Sequence, residues 1–157
     1  MLKKFLCGLV ALSSFGFLLL GADEAFAGAW KINVTKSTFA KGHEAKDMTL
    51  IVAIEGDTAT VTLNGTVGDG QTISFKYTVP TTGGPVNYTE GAPPAGITDA
   101  LKNIDDRTVE FTSTMNGKQI LKQHIVAGAD HKTMTIRESG VDEKGQAFKG
   151  VYVYERQ

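Results

Sequence analysis

The side chains able to do chemistry in this 157-residue chain are few and scattered. His43 stands in a polar stretch, His124 in a run of strand-forming residues and His131 in a Gly/Asp-rich turn, with no metal-ligand spacing among them. The one cysteine, Cys7, lies in the N-terminal apolar run, so no thiolate completes a zinc set and no metal is expected. Ser74, Ser113 and Ser139 read as strand filler, outside any Gly-x-Ser-x-Gly turn, and neither a P-loop nor a Rossmann glycine pattern occurs. The neighbouring acids Asp105-Asp106 invite an acid–base reading. Followed by Arg107 and flanked by strand-like runs, they are better explained as a tight turn. No residue is assigned a catalytic role.

The elements that would position these groups are strands. From residue 28 onward short runs of β-branched and aromatic residues alternate with Gly, Asn and Asp clusters, and helical periodicity is nearly absent. The clearest run is Gln71 to Val79, where Ile73, Phe75, Tyr77 and Val79 fall on one face and Thr72, Ser74, Lys76 and Thr78 on the other. The same pattern predicts strands over 30–34, 48–54, 59–67, 97–104, 107–115, 119–126, 132–139 and 148–156. In the last of these Phe148, Tyr152, Tyr154 and Arg156 share one face. Links such as Glu55-Gly56-Asp57, Asp105-Asp106 and Asn116-Gly117 carry hairpin chemistry, so consecutive strands should pair antiparallel. Thr35 to Asp47 reads as an irregular stretch or one short helical turn. The 17 residues from Pro80 to Gly96, with Gly83-Gly84-Pro85 and Pro93-Pro94, cannot form one regular strand and read as a long loop or lid.

The first 27 residues describe a cleavable export signal. Lys3 and Lys4 precede an apolar run from Phe5 to Leu20, and Ala25-Phe26-Ala27 supplies a small-x-small cleavage site. The run is shorter than the roughly 20 residues that span a bilayer, so no membrane anchor is expected after cleavage. A periplasmic or secreted location follows. Residues 28–157 make one domain without cysteine, held by packing alone. Removal of Lys3, Lys4, Asp23 and Glu24 takes 16 basic and 17 acidic residues to 14 and 15, a net charge of −1, which argues against a nucleic-acid partner.

About eight or nine sequential antiparallel strands hide their edges completely by closing into an up-and-down barrel. Gly28-Ala29-Trp30, at the head of the first strand and holding the chain's one tryptophan, resembles the signature of the lipocalins and the wider calycin group. The resemblance extends to small secreted bacterial lipocalin-like proteins of uncharacterised function, through Gly28-Ala29-Trp30-Lys31-Ile32-Asn33 with Lys36-Ser37, Ile104-Asp105-Asp106-Arg107-Thr108, Lys132-Thr133-Met134-Thr135 and the hairpin at Gly140 to Gly145. It implies that Gly28 and Trp30 plug the barrel floor, with a basic side chain across the indole. Arg156 is the first candidate for that side chain and Arg137 the second. In fatty-acid-binding proteins of the same group an arginine and a tyrosine two apart on the final strand hold the ligand carboxylate. Tyr154 and Arg156 have that spacing in reversed order.

Two functions follow from a barrel. The first is a carrier whose interior, lined by Phe75, Tyr77, Phe111, Met134, Ile136, Tyr152, Tyr154 and Arg156, holds a small apolar molecule. The second is a module that binds or inhibits another protein through its 80–96 loop, with a filled barrel. His124 would be a haem ligand only if it faced the interior, which Lys122 and Val126 leave open, and no cofactor is expected.

Overall fold

The computed structural model describes residues 21–157. Lys3, Lys4, Cys7 and the apolar run of the expected signal lie outside them. A short helix, α1 (Gly21–Phe26), leads into β1 (Gly28–Ile32), and a single 3-10 turn over Val34–Lys36 follows, with the Asn33 side chain capping it by accepting from the Lys36 N–H. The long strands are β2 (Ala45–Glu55), β3 (Thr58–Val67), β4 (Thr72–Pro80), β7 (Ile97–Asp105), β8 (Thr108–Met115), β9 (Lys118–Ala127), β10 (Thr133–Val141) and β11 (Ala147–Arg156). Two short strands, β5 (Gly84–Pro85) and β6 (Asn87–Glu90), bring the total to eleven, above the eight or nine expected. Both fall in the stretch read as a loop.

Every strand pair is antiparallel, in the order β5-β7-β8-β9-β10-β11-β1-β2-β3-β4-β6, so the first and last strands of the chain are neighbours and Trp30 stands opposite Arg156. From β2 to β4 and from β7 to β9, consecutive strands join by tight turns. In the two-residue turn between Met115 and Lys118, Asn116 and Gly117 both take positive φ (51° and 79°), the mirror-image geometry that matches strand twist. Closure falls to the 80–96 stretch. Gly84 and Pro85 pair with Leu101 and Ala100 of β7, Asn87 and Tyr88 pair with Thr78 and Tyr77 of β4, and between them the Val86 N–H donates to the Asp99 carbonyl at 2.9 Å. One segment thus occupies both remaining edges and makes the barrel nearly closed. This corrects the reading of 80–96 as a free loop: two strands with open ladders on facing sides recruit it, a long-range demand that no local pattern carries.

The alternating faces pack into two contiguous clusters. One gathers Trp30, Ile32, Ala45, Met48, Met134, Ile136 and Tyr154; the other gathers Val61, Tyr77, Val79 and Phe111. Trp30 is fully buried.

Candidate ligand cavity

The two ends of the barrel differ. At one end α1 and Trp30 form a floor. The Trp30 Nε1–H donates to the Phe26 carbonyl at 2.8 Å, and the Arg156 guanidinium lies 4.3 Å from the centre of the indole. Arg156 Nε donates to the His131 carbonyl at 2.7 Å, Nη2 to the Ala25 carbonyl at 3.0 Å, and Nη1 to the Ala27 carbonyl. Gly28, at φ 127°, sits under this guanidinium, and a Cβ there would come within 2.6 Å of Nη1. The floor leaves only a small apolar void of about 90 Å³, which touches Phe26 and Met134. Arg137 is exposed on the outer wall beside Lys122 and His124. The strand phase that turns Gln123 and Ile125 inward turns His124 out, so it does not face the interior.

Toward the other end the interior opens into a cavity of about 530 Å³. Of the residues proposed for ligand contact, Phe75, Tyr77, Phe111, Ile136, Tyr152 and Tyr154 line it, while Met134 lines the small void and Arg156 lies on the floor, on the wall of neither. Period-2 alternation along β4, β8, β10 and β11 explains the convergence. The rings form a connected set: Tyr77 lies 5.5 Å from Tyr88 and 6.2 Å from Phe111, and Phe75 lies 6.1 Å from Tyr77 and 6.3 Å from Tyr88.

Polar groups complete the wall, and most were not legible as site residues. Asp99 on β7 and Glu138 on β10 are 8% and 9% exposed. The Tyr88 hydroxyl donates to Asp99 Oδ2 at 2.6 Å. Glu138 accepts from Gln123 Nε2 at 2.7 Å and from the Tyr152 hydroxyl at 3.1 Å, with His43 Nδ1 3.7 Å away. Ser113, read above as filler, is buried on this wall. A signal for Glu138 was present, because the phase that turns Met134 and Ile136 inward also turns Glu138 inward. Tyr88 had none, since its inward position depends on barrel closure.

All four tyrosines of the chain line the cavity. Their hydroxyls are held well above the ordinary tyrosine value. Burial is the first cause for each, with Asp99 adding to the shift for Tyr77 and Tyr88 and Glu138 for Tyr152 and Tyr154. All four are neutral across the physiological range, and the hydroxyls of Tyr88 and Tyr152 donate to Asp99 and Glu138. Asp105 accepts from the Arg107 N–H at 2.9 Å in its turn. No group of three His, Cys, Asp or Glu able to hold a metal occurs among the described residues.

No protein-family model matches the chain, and no curated protein matches it significantly in sequence. Solved structures do match in shape. The chain is similar to the S-type phycobiliprotein lyase CPES from Guillardia theta (TM-score 0.57, 9% identity, 86% of this chain and 89% of that one). It is similar to EF1p2_mFAP2b bound to DFHBI (TM-score 0.54, 10% identity, 89% and 100%). A third likeness is to zebrafish ileal bile acid-binding protein complexed with cholic acid (TM-score 0.50, 11% identity, 85% and 99%). At such identities the likeness concerns the fold, which is the lipocalin-like antiparallel barrel.

Proposed function

We propose that the protein is an exported, non-enzymatic barrel that binds a small, largely apolar molecule in its interior. The observation that carries this reading is the cavity of about 530 Å³ walled by Phe75, Tyr77, Phe111, Ile136, Tyr152 and Tyr154. Barrels of this size are often filled by their own side chains. A volume within the range of small-molecule sites, mostly apolar with a few convergent polar groups, is the usual character of a binding pocket. Two of the neighbouring folds were solved with a small molecule, DFHBI in one and cholic acid in the other, which supports the same use. The export part rests on Lys3, Lys4, the apolar run from Phe5 to Leu20 and Ala25-Phe26-Ala27. The competing idea, a protein-binding module acting through 80–96, has less to stand on, because residues 84–90 of that stretch are engaged in the barrel wall.

Native mass spectrometry of protein purified from its own host tests the reading, together with uptake of the neutral dye Nile red. An adduct of lipid size, or saturable dye binding weakened by Phe111→Trp inside the cavity, is the expected result. A bare protein mass combined with no dye uptake would overturn it.

A further inference from the structure

We infer that the cavity selects a ligand carrying a protonated amine or comparable organic cation, with Asp99 as its anchor and the Phe75, Tyr77, Tyr88 and Phe111 rings around its apolar part. This rests on the binding reading above and adds the ligand's chemical class. Three observations carry it. First, Asp99 is 8% exposed and its Oδ1 has no hydrogen-bond partner, the one such buried side-chain atom among the described residues. A buried carboxyl is costly to leave unmatched, and its Oδ2 is already taken by Tyr88. Second, the wall carries three acids, Asp69, Asp99 and Glu138, and no lysine or arginine among the described residues, with His43 its one basic group. That histidine stands beside Glu138, which Gln123 and Tyr152 also satisfy, and Asp69 is exposed and accepts from the Gln71 N–H at 2.9 Å, so Asp99 is the buried acid left for a ligand. Third, Tyr88 joins Asp99 directly to a cluster of four rings with centroids 5.5 to 6.3 Å apart. Ring faces attract a cation electrostatically and take up its hydrocarbon part at the same time. An anionic head group would meet the opposite: like charge at Asp99, and Arg156 held at the floor away from the cavity wall.

The test compares three probes of equal chain length by isothermal titration at pH 7: decylamine, 1-decanol and decanoate. The amine is expected to bind at least tenfold tighter than the alcohol, and decanoate weakest. In Asp99→Asn, which keeps an acceptor for the Tyr88 hydroxyl, the amine-to-alcohol ratio should fall to near one while decanol affinity is retained. The wild-type ranking needs no variant, so poor folding of Asp99→Asn leaves the test intact. Equal binding of amine and alcohol, tighter binding of decanoate, or a ratio that survives Asp99→Asn each overturns the inference and leaves the cavity reading standing. Failure of all three probes overturns the inference, and if Nile red also fails to bind, the reading beneath it falls as well.

Discussion

The Tyr88 hydroxyl donates to Asp99 Oδ2 at 2.6 Å, and this bond joins the segment that closes the barrel to the wall of the cavity it encloses. Tyr88 belongs to β6, which pairs with β4, and Asp99 belongs to β7, whose edge is covered by β5. The contact therefore crosses the seam of the barrel. Removing the hydroxyl leaves a buried carboxyl with one partner fewer, a loss on the order of 1 to 3 kcal/mol. Tyr88→Phe is expected to lower the unfolding free energy from urea titration by that amount and to raise hydrogen exchange at Val86 and Tyr88 above that at β8. Unchanged exchange at the seam would show that β5 and β6 are held by their ladders alone.

At the floor, Trp30 is fully buried and packs among Ile32, Met134 and Tyr154. Trp30→Ala is expected to cost about 3 to 5 kcal/mol by the cavity it leaves. Arg156→Ala loses the stacking over the indole, worth on the order of 0.5 to 2 kcal/mol, along with bonds to three carbonyls. Because these residues stack, the double variant should destabilise by less than the sum of the singles. Strict additivity in denaturant titrations would refute the coupling.

Ala25 and Phe26 belong to the floor although they lie ahead of the expected cleavage point after Ala27. A chain starting at Gly28 would lose the acceptor of Trp30 Nε1 and two acceptors of Arg156. It is expected to melt at a lower temperature than a chain starting at Gly21, being less stable by roughly 2 to 4 kcal/mol if two of these buried groups stay unmatched. Mass spectrometry of the protein recovered from its host locates the actual start. Equal melting temperatures for the two chains would show that new contacts replace those of residues 25–27.

Alkaline pH should act through the tyrosines. Their folded values are raised above the ordinary value near 10, so between that value and the folded one the unfolded chain gives up protons that the folded chain keeps. Unfolding then becomes more favourable as pH rises. The tyrosines' contribution is fully present below about pH 10 and is lost progressively above it. Absorbance at 295 nm should report phenolate only together with the loss of native circular dichroism. A gradual tyrosinate titration centred near pH 10 in the folded protein would contradict the burial of these hydroxyls.

Gly28 tests the floor from the backbone beneath Arg156. Its φ of 127° is a conformation that L side chains rarely adopt, and an added Cβ meets Arg156 Nη1 at 2.6 Å. Gly28→Ala is expected to cost about 1 to 3 kcal/mol, and thermal melts of Gly28→Ala in the Arg156→Ala background separate backbone strain from the clash.

Much of this architecture was written locally. The alternation Ile73, Phe75, Tyr77, Val79 states both that β4 is a strand and which face is buried, because side chains on a strand alternate with period two whatever lies around them. Asn116-Gly117 likewise specifies its turn through backbone angles that few other residue pairs adopt. The same phase argument turned most of the proposed contact residues toward the cavity. What the sequence could not determine depends on elements far apart in the chain. β5 and β6 are too short to show a period, and they exist because β4 and β7 present open edges to each other. Asp99 hides in a run, Ile97, Asp99, Leu101, Asn103, whose inward phase is half polar, so hydrophobicity does not mark it. Its buried carboxyl acquires meaning only once closure brings Tyr88 to it and leaves one oxygen unmatched. Local sequence thus determined the strands and their faces. Only the tertiary structure decided that the barrel closes through residues 84–90 and that its interior is acidic as well as aromatic, because both depend on contacts that no short stretch of chain contains.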